Sequence, residues 1–373
     1  MFHKLLKTDL ILMSAVALLL GISLVVLYSI STASGERGIT SVFVRQCIYT
    51  FLGIVTMLFF TFTDHQMFKS RSTMIYLLTL IVLAGVLIFG TTVRGTSGWI
   101  GFGLFRIQPV EAAKIALIIF MASFISQKRM EFGEVGRIIV SSVLIGFMIL
   151  LVAKQPDFGS AMVLTGVWIG MLLVSGMSRK LVATLAILGI AVSVFGWFQL
   201  ADYQKARIYA FIDPMADAKG GGYNVIQSMV AVGSGGIFGK GIGHGSQSQL
   251  NFLPEKHTDF IFASISEELG LVGSAAVIGL LFVIFYRIRC IAKKAPDNFG
   301  YLVAIGILLM LFLQTLENAG MNMGIMPVTG IPLPFLSYGG SSLIAVLAAI
   351  GIVNNIHLRA ENGAVMEHHR HEY

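Results

Sequence analysis

Residues 10–30 read LILMSAVALLLGISLVVLYSI, twenty-one residues without a charge. That length matches the ~20 apolar residues that carry a helix across a bilayer. His3, Lys4 and Lys7 precede the run and Ser31-Thr32-Ala33-Ser34 follows it. This arrangement imitates a signal peptide with a small-residue cleavage site. The apolar core of a signal peptide is shorter, about 7–15 residues, so the run reads as a retained first span.

The same texture recurs along the chain. Candidate spans fall at 10–30, 46–63, 74–90, 109–126, 138–153, 157–176, 181–200, 260–286, 300–320 and 341–357. The fifth is short, and Lys154-Gln155-Pro156-Asp157 makes a tight polar turn into the sixth. Of the 373 residues 56% are apolar and 12% charged, against about 25% charged in a soluble domain. A soluble enzyme, a disordered chain and a disulfide scaffold are excluded. The expected fold is all-α: a polytopic membrane protein with about ten transmembrane helices. The net charge of +7 does not imply nucleic acid, because cytoplasmic loops are rich in Lys and Arg.

Charge also orients the chain. With the N-terminus in the cytoplasm, fifteen Lys and Arg fall inside and five outside (Arg37, Arg45, Arg94, Arg106 and Lys154), the 201–259 loop aside. Both termini are then cytoplasmic, with a large extracytoplasmic loop, 201–259, between helices 7 and 8. The chain, 1–373, reads as a single transmembrane domain with 358–373 as a cytoplasmic tail. Cys47 and Cys290 lie in apolar runs and read as packing residues.

Ten glycines lie between Lys219 and Gly245. They suit either a flexible surface loop or a backbone that approaches another backbone or an anion closely. Within that stretch Tyr223–Val232 has helical apolar spacing, suited to the membrane interface. Gly233-Ser-Gly-Gly-Ile-Phe-Gly239-Lys240-Gly241 superficially resembles a phosphate loop, but Ser234 and Gly241 break the pattern. His368, His369 and His371 read as a solvated tail, and His244 and His257 lack ligand spacing.

Intramembrane charges mark site hypotheses by default, and their depth here is one-sided. Glu111 and Lys114 stand at the outer start of span four, and Asp157 opens span six. Asp259 opens span eight, with Glu267 and Glu268 two to three turns deeper, and Glu317 lies near the outer end of span nine. Converging charges of this kind suggest a hydrated cavity open to the outside. Glu111 and Lys114, spaced i,i+3, read equally as a satisfied ion pair. Asp259, Ala263, Ser266 and Gly270 share one helical stripe, which is either tight packing or room for a ligand. A carboxylate there serves as a helix cap or as a base for a substrate hydroxyl.

Residues 246–270 read Ser-Gln-Ser-Gln-Leu-Asn-Phe-Leu-Pro-Glu-Lys-His-Thr-Asp-Phe-Ile-Phe-Ala-Ser-Ile-Ser-Glu-Glu-Leu-Gly. This closely resembles the SEDS family (shape, elongation, division and sporulation proteins), and its RodA branch more than its FtsW branch. Further matches cover nearly the whole chain: Phe105–Lys114, Gln155–Gly159, Asp202–Arg207, Gly222–Ser228 and Pro327–Ser341. The resemblance implies a peptidoglycan glycosyltransferase of cell elongation in the bacterial cytoplasmic (inner) membrane, polymerising lipid II at its outer face. It implies Asp259 as the essential catalytic carboxylate, either the general base or the group that orients the acceptor. It implies substrate contacts among Lys114, Glu111, Arg106, Gln108, Asp157, Arg207, His257, Thr258, Glu267, Ser337, Tyr338 and Ser341. The partner it implies is a class B penicillin-binding protein of the elongation machinery. No metal cage is legible, although the resemblance is compatible with a divalent cation, Mg²⁺ or Mn²⁺. The rival readings are a lipid II flippase, which should carry broken helices at the midplane, and a non-catalytic scaffold. The chain departs from the family pattern at Gly98, where an Arg is usual, and at Val110, where a Ser is usual. Glu317 is in no motif position, so it stays outside the expected site.

Overall fold

A computed structural model describes residues 8–33, 41–93, 96–102, 105–127, 133–199, 202–218 and 220–371. His3, Lys4, Lys7, Arg37, Arg94 and the side chains of His368, His369 and His371 lie outside what is described. The helices are α1 Leu10–Ala33, α2 Val42–Phe62, α3 His65–Ser70, α4 Ser72–Phe89, α5 Pro109–Ser126, α6 Glu134–Ala153 and α7 Phe158–Val174. They continue as α8 Arg179–Gln199, α9 Asp202–Ile212, α10 Gly221–Ser234, α11 Ser246–Gln249, α12 Ile261–Lys293, α13 Asn298–Asn322 and α14 Gly340–His371. Among the described residues, eight helices are long and apolar enough to cross a membrane: α1, α2, α4, α5, α6, α12, α13 and α14. Shorter apolar helices, α7 and Lys180–Gly189 within α8, stand where the sixth and seventh spans are expected. The chain is an all-α, multi-pass membrane protein. The stretch read as a tail is helical as far as His371.

The bundle is built around α5, which packs against α4, α7, α13 and α14. Glycines let the helices close up, as expected where no water drives them together. A Cβ on Gly306 of α13 would lie 2.5 Å from Ile118 of α5, and Cβ atoms on Gly166 and Gly170 of α7 would lie 2.6 and 2.7 Å from Leu313 and Leu309. At one end of the bundle, Asp64 caps α3 through Gln66 N–H (2.8 Å) and Asp297 caps α13 through Gly300 N–H (2.8 Å). The Gln66 amide donates to Asp297 at 2.6 Å, and Arg359 pairs with Asp64 at 2.7 Å.

The opposite end carries a feature the sequence reading lacks, a small antiparallel sheet in the order β1-β2-β3. Its strands are β1 Thr91–Val93, β2 Thr96–Phe102 and β3 Phe105–Ile107. It is tied to the polar turn before α7: Ser97 N–H donates to the Gln155 carbonyl (3.2 Å), and the Gln155 amide donates to Leu83 O (2.9 Å). Gly98 fits under that tie, since a Cβ there would lie 3.1 Å from Gln155 Oε1.

The expected stripe on span eight needs correction. Phe260, not Asp259, is the N-cap of α12, and the helix breaks at Gly270 (φ 68°, ψ −163°). That conformation is essentially reserved for glycine. The glycine stretch supplies the hydrogen bonds the break removes. Leu271 and Val272 N–H donate to the carbonyls of Gly236 (2.9 Å) and Ile237 (3.1 Å), while Lys240 and Gly241 N–H donate to those of Glu267 and Glu268 (3.0 Å each). The two backbones touch: a Cβ on Gly235 would collide with Ser266 O, and one on Gly239 with Glu268 O. Of the two readings of the glycine stretch, close backbone approach is the one observed. Tyr223–Val232 forms the body of α10, which buries Gly222, Val225, Ser228 and Ala231 and packs against α12.

Gly270→Ala meets both the positive φ and a collision with Gly239 N. It should destabilise the fold by about 2 kcal/mol or more. Thermal unfolding in detergent checks this, with Gly279→Ala as control, because a Cβ at Gly279 meets nothing within 4 Å.

Candidate active site

The segment before α12 is held from two sides, mostly by neutral groups. The side-chain amides of Asn318 (2.9 Å) and Asn322 (3.0 Å) on α13 both donate to the Asp259 carbonyl. Asn322 Oδ1 also accepts the Ala263 N–H at 3.0 Å, which docks the first turn of α12. From the other side, Ser337 Oγ donates to Thr258 O (2.7 Å) and Tyr338 N–H to His257 O (2.8 Å). The Asp259 carboxylate lies beside Gly330, where a Cβ would sit 3.6 Å from Oδ2. The φ of Gly330 is +79°.

A cavity of about 140 Å³ opens here. It gathers seven of the expected site residues: Asp259, Thr258, Arg207, Gln108, Asp157, Tyr338 and Ser341. Asp157 is well engaged, accepting Ser160 N–H (3.0 Å) as the cap of α7 and the Gln108 amide (3.1 Å). Ser341 Oγ accepts Gln108 N–H (3.0 Å) and donates to Arg106 O (3.3 Å), joining the start of α14 to that of α5. The Arg207 guanidinium, carried on α9, rests on the carbonyls of Val328 (3.4 Å) and Thr329 (3.5 Å).

The other expected residues stand apart. His257 packs edge-on against Tyr338, and Ser337 is buried within its turn. Lys114 and Glu111 form an ion pair at 2.9 Å, both nearly inaccessible, and neither lines the cavity. The exposed Arg106 lines nothing here. Glu267 is committed to the glycine stretch, accepting from Lys240 Nζ (2.9 Å), Gln247 N–H (2.8 Å) and Ser248 N–H (2.9 Å). Its neighbour Glu268 accepts from Ser29 on α1 (2.7 Å) and from Gln249 (2.8 Å).

Two groups went unselected by the sequence reading. Trp99 on β2 lines the cavity and offers an aromatic face to a ring-shaped ligand. Its signal was a lone Trp in a polar connection between apolar runs. Thr329 also lines the cavity, and the buried Glu317 lies behind it. Among the described residues no three His, Cys, Asp or Glu side chains converge to hold a metal ion. A larger cavity of about 680 Å³ between α10, α12 and α13 is lined almost wholly by apolar groups and contains none of the expected site residues.

Lys114→Met would strand the buried Glu111 carboxylate and should cost about 3–5 kcal/mol. Adding Glu111→Leu should recover most of that loss. Thermal unfolding of the two single variants and the double variant checks the coupling.

Known proteins share both the sequence pattern and the architecture. A family model described as "Cell cycle protein", spanning FtsW, RodA and SpoVE, matches residues 10–362. Peptidoglycan glycosyltransferase MrdB of Escherichia coli K12 is 41% identical over 307 residues, 82% of this chain and 83% of that one. Stage V sporulation protein E of Bacillus subtilis 168 is 38% identical over 357 residues, 93% and 96% of the two chains. The crystal structure of Thermus thermophilus rod shape determining protein RodA matches with a TM-score of 0.70 at 27% identity, over 94% of this chain and 96% of that one. A structure described as the coordination of polymerization and crosslinking by a peptidoglycan synthase complex matches with a TM-score of 0.80 at 28% identity, over 95% and 98%.

Proposed function

We propose, for a chain that belongs to the FtsW/RodA/SpoVE family of cell cycle proteins and is a peptidoglycan glycosyltransferase of cell-wall synthesis, that the Asp259 cavity polymerises lipid II. The observation that carries the reading is the meeting of the Asp259 carboxylate and the Arg207 guanidinium in a single cavity. Inverting glycosyl transfer needs both kinds of group. The acceptor hydroxyl attacks the anomeric carbon of the donor, the bond from that carbon to the diphosphate oxygen breaks, and a β-1,4 linkage replaces an α one. Asp259 takes the proton from the acceptor hydroxyl. Arg207 faces the departing diphosphate, and Lys114 adds positive charge from beneath. Asp157 and Gln108 hold each other in place, Tyr338, Thr258 and Ser341 offer hydroxyls to the sugars, and Trp99 offers its face.

The cavity end of the bundle is assigned to the outer face of the cytoplasmic membrane. The Lys and Arg asymmetry supports this, since it places the opposite loops inside. A class B penicillin-binding protein is the proposed partner, crosslinking the strand as it emerges. The similarity to a chain from a peptidoglycan synthase complex supports that pairing.

One observation favours the flippase reading: the helix broken at Gly270. A gel assay with labelled lipid II and a divalent cation separates the readings, using purified protein with and without a penicillin-binding protein that lacks its own glycosyltransferase. The wild type should give a glycan ladder. Asp259→Ala should keep folding and partner binding but reduce the product at least about a hundredfold, the scale of a general base. Polymerisation at the wild-type rate by Asp259→Ala would remove the base assignment. A wild type with no ladder under any condition would turn attention to lipid movement in proteoliposomes.

A further inference from the structure

Tyr338 lines the Asp259 cavity, and a second tyrosine stands beside it outside the lining. Gln46, Tyr49, Gly53 and Met57 are buried at helical spacing on one face of α2, and α2 packs against α14. Gly340, at the start of α14, leaves room for the Tyr49 ring, since a Cβ there would lie 2.7 Å from it. Tyr49 is 8% exposed and packs at a tilt against the Tyr338 ring, with centroids 6.1 Å apart. The two hydroxyls are within hydrogen-bonding reach of each other. Arg45, one turn earlier on α2, lies within electrostatic reach of Tyr49.

The backbone around Tyr338 is held by the same helices. The Gln46 amide donates to Ser337 O (3.3 Å), and Ser23 Oγ of α1 donates to Leu336 O (2.7 Å). Ser337 Oγ and Tyr338 N–H in turn hold the carbonyls of Thr258 and His257. With backbone and ring fixed, the freedom left to Tyr338 is the rotation of its O–H. A phenol has one proton to give and can also accept at its oxygen. A Tyr338 that gave its proton to Tyr49 could only accept from a sugar. The Arg45 cation favours the opposite sense, because a nearby positive charge stabilises negative charge on the donating Tyr49 oxygen.

We propose that Tyr49 is a positioning residue for the cavity: its hydroxyl donates to that of Tyr338 and so turns the Tyr338 proton toward the bound sugar. Tyr49 acts through Tyr338 and does not touch substrate. The inference rests on the reading of the cavity as the lipid II site. It differs from a packing role, which needs only the Tyr49 ring and which Phe would fill. Losing one neutral hydrogen bond to the substrate weakens binding about three- to tenfold.

The test is the kinetics of glycan synthesis from labelled lipid II by wild type, Y49F, Y338F and the double variant, each with the same penicillin-binding protein. In Y49F, KM for lipid II should rise about three- to tenfold with kcat within about twofold, the signature of lost binding. Y338F should raise KM at least as far, and Y49F should add less than about twofold on top of Y338F. A Y49F variant with the KM of wild type would overturn the proposal. So would a Y338F variant with the KM of wild type, an outcome that decides the matter even where Y49F misfolds. Full multiplication of the two effects in the double variant would overturn it too, because the tyrosines would then act separately. These failures all occur with a wild type that makes glycan, and so spare the polymerase reading. A wild type that makes no glycan defeats that reading and the proposal with it.

Discussion

Lipid offers no water to a backbone N–H or carbonyl, so a helix that breaks inside a membrane bundle must find its partners in protein. Much of this molecule follows from how α12 meets that demand. Gly270 turns the chain out of the helix, and the stretch from Gly235 to Gly241 returns from the α10 side to take up the freed groups. Glycine is required on both strands of the contact, because a Cβ at Gly235, Gly239 or Gly270 would enter the opposing backbone. The same contact fixes Glu267 and Glu268 as anchors for residues 240–249 and for Ser29 of α1. The nine residues of α12 before the break become a short separate strut, held at one end by glycines and at the other by Asn318 and Asn322. Asp259 stands just ahead of that strut.

The groups that hold the Asp259 segment are amides and hydroxyls: Asn318, Asn322, Ser337 and the Tyr338 N–H. They satisfy the backbone without adding charge beside the carboxylate. Among the described residues the charged side chains that line the cavity are few: Asp259, Asp157 and Arg207.

The spans were legible because an uncharged apolar run of membrane length has almost no role in a folded chain except to cross lipid, and the motif wording carried the family. Within the cavity, Asp259 and Asp157 combine depth with motif position, whereas Gln108 is marked by its motif alone. Glu267 combines depth with a motif position and still lies outside the cavity lining. It lies eight residues past Asp259, so on a helix it is rotated by about 80° and sits two turns deeper, and it serves the loop on another face. Arg106 lies in a strand whose direction no helical count could give. The sheet at 91–107 went unseen because its strands are short and rich in Gly and Thr, without clean alternation. Glu317 was set aside for lacking a motif. Its place under Thr329 depends on the packing of α13 against α5, which a single sequence does not contain.

The broken helix differs in one physical respect from the transporters that use such breaks. There, unwound carbonyls and half-helix ends are left open to coordinate ions or substrate, and the gap is the binding site. In α12 the carbonyls of Glu267 and Glu268 and the N–H groups of Leu271 and Val272 are all spent on the glycine stretch. These four groups at the break are therefore not open to a passenger. The effect of the break is geometric: it lets the segment before Gly270 follow the glycine contact and not the axis of the long helix behind it. The polar cavity lies beyond the N-terminal end of that segment, lined by loop and helix-end residues from several elements. A break consumed by structure, beside a cavity that holds a carboxylate and a guanidinium, is the arrangement of a fixed reaction site more than of a moving gate.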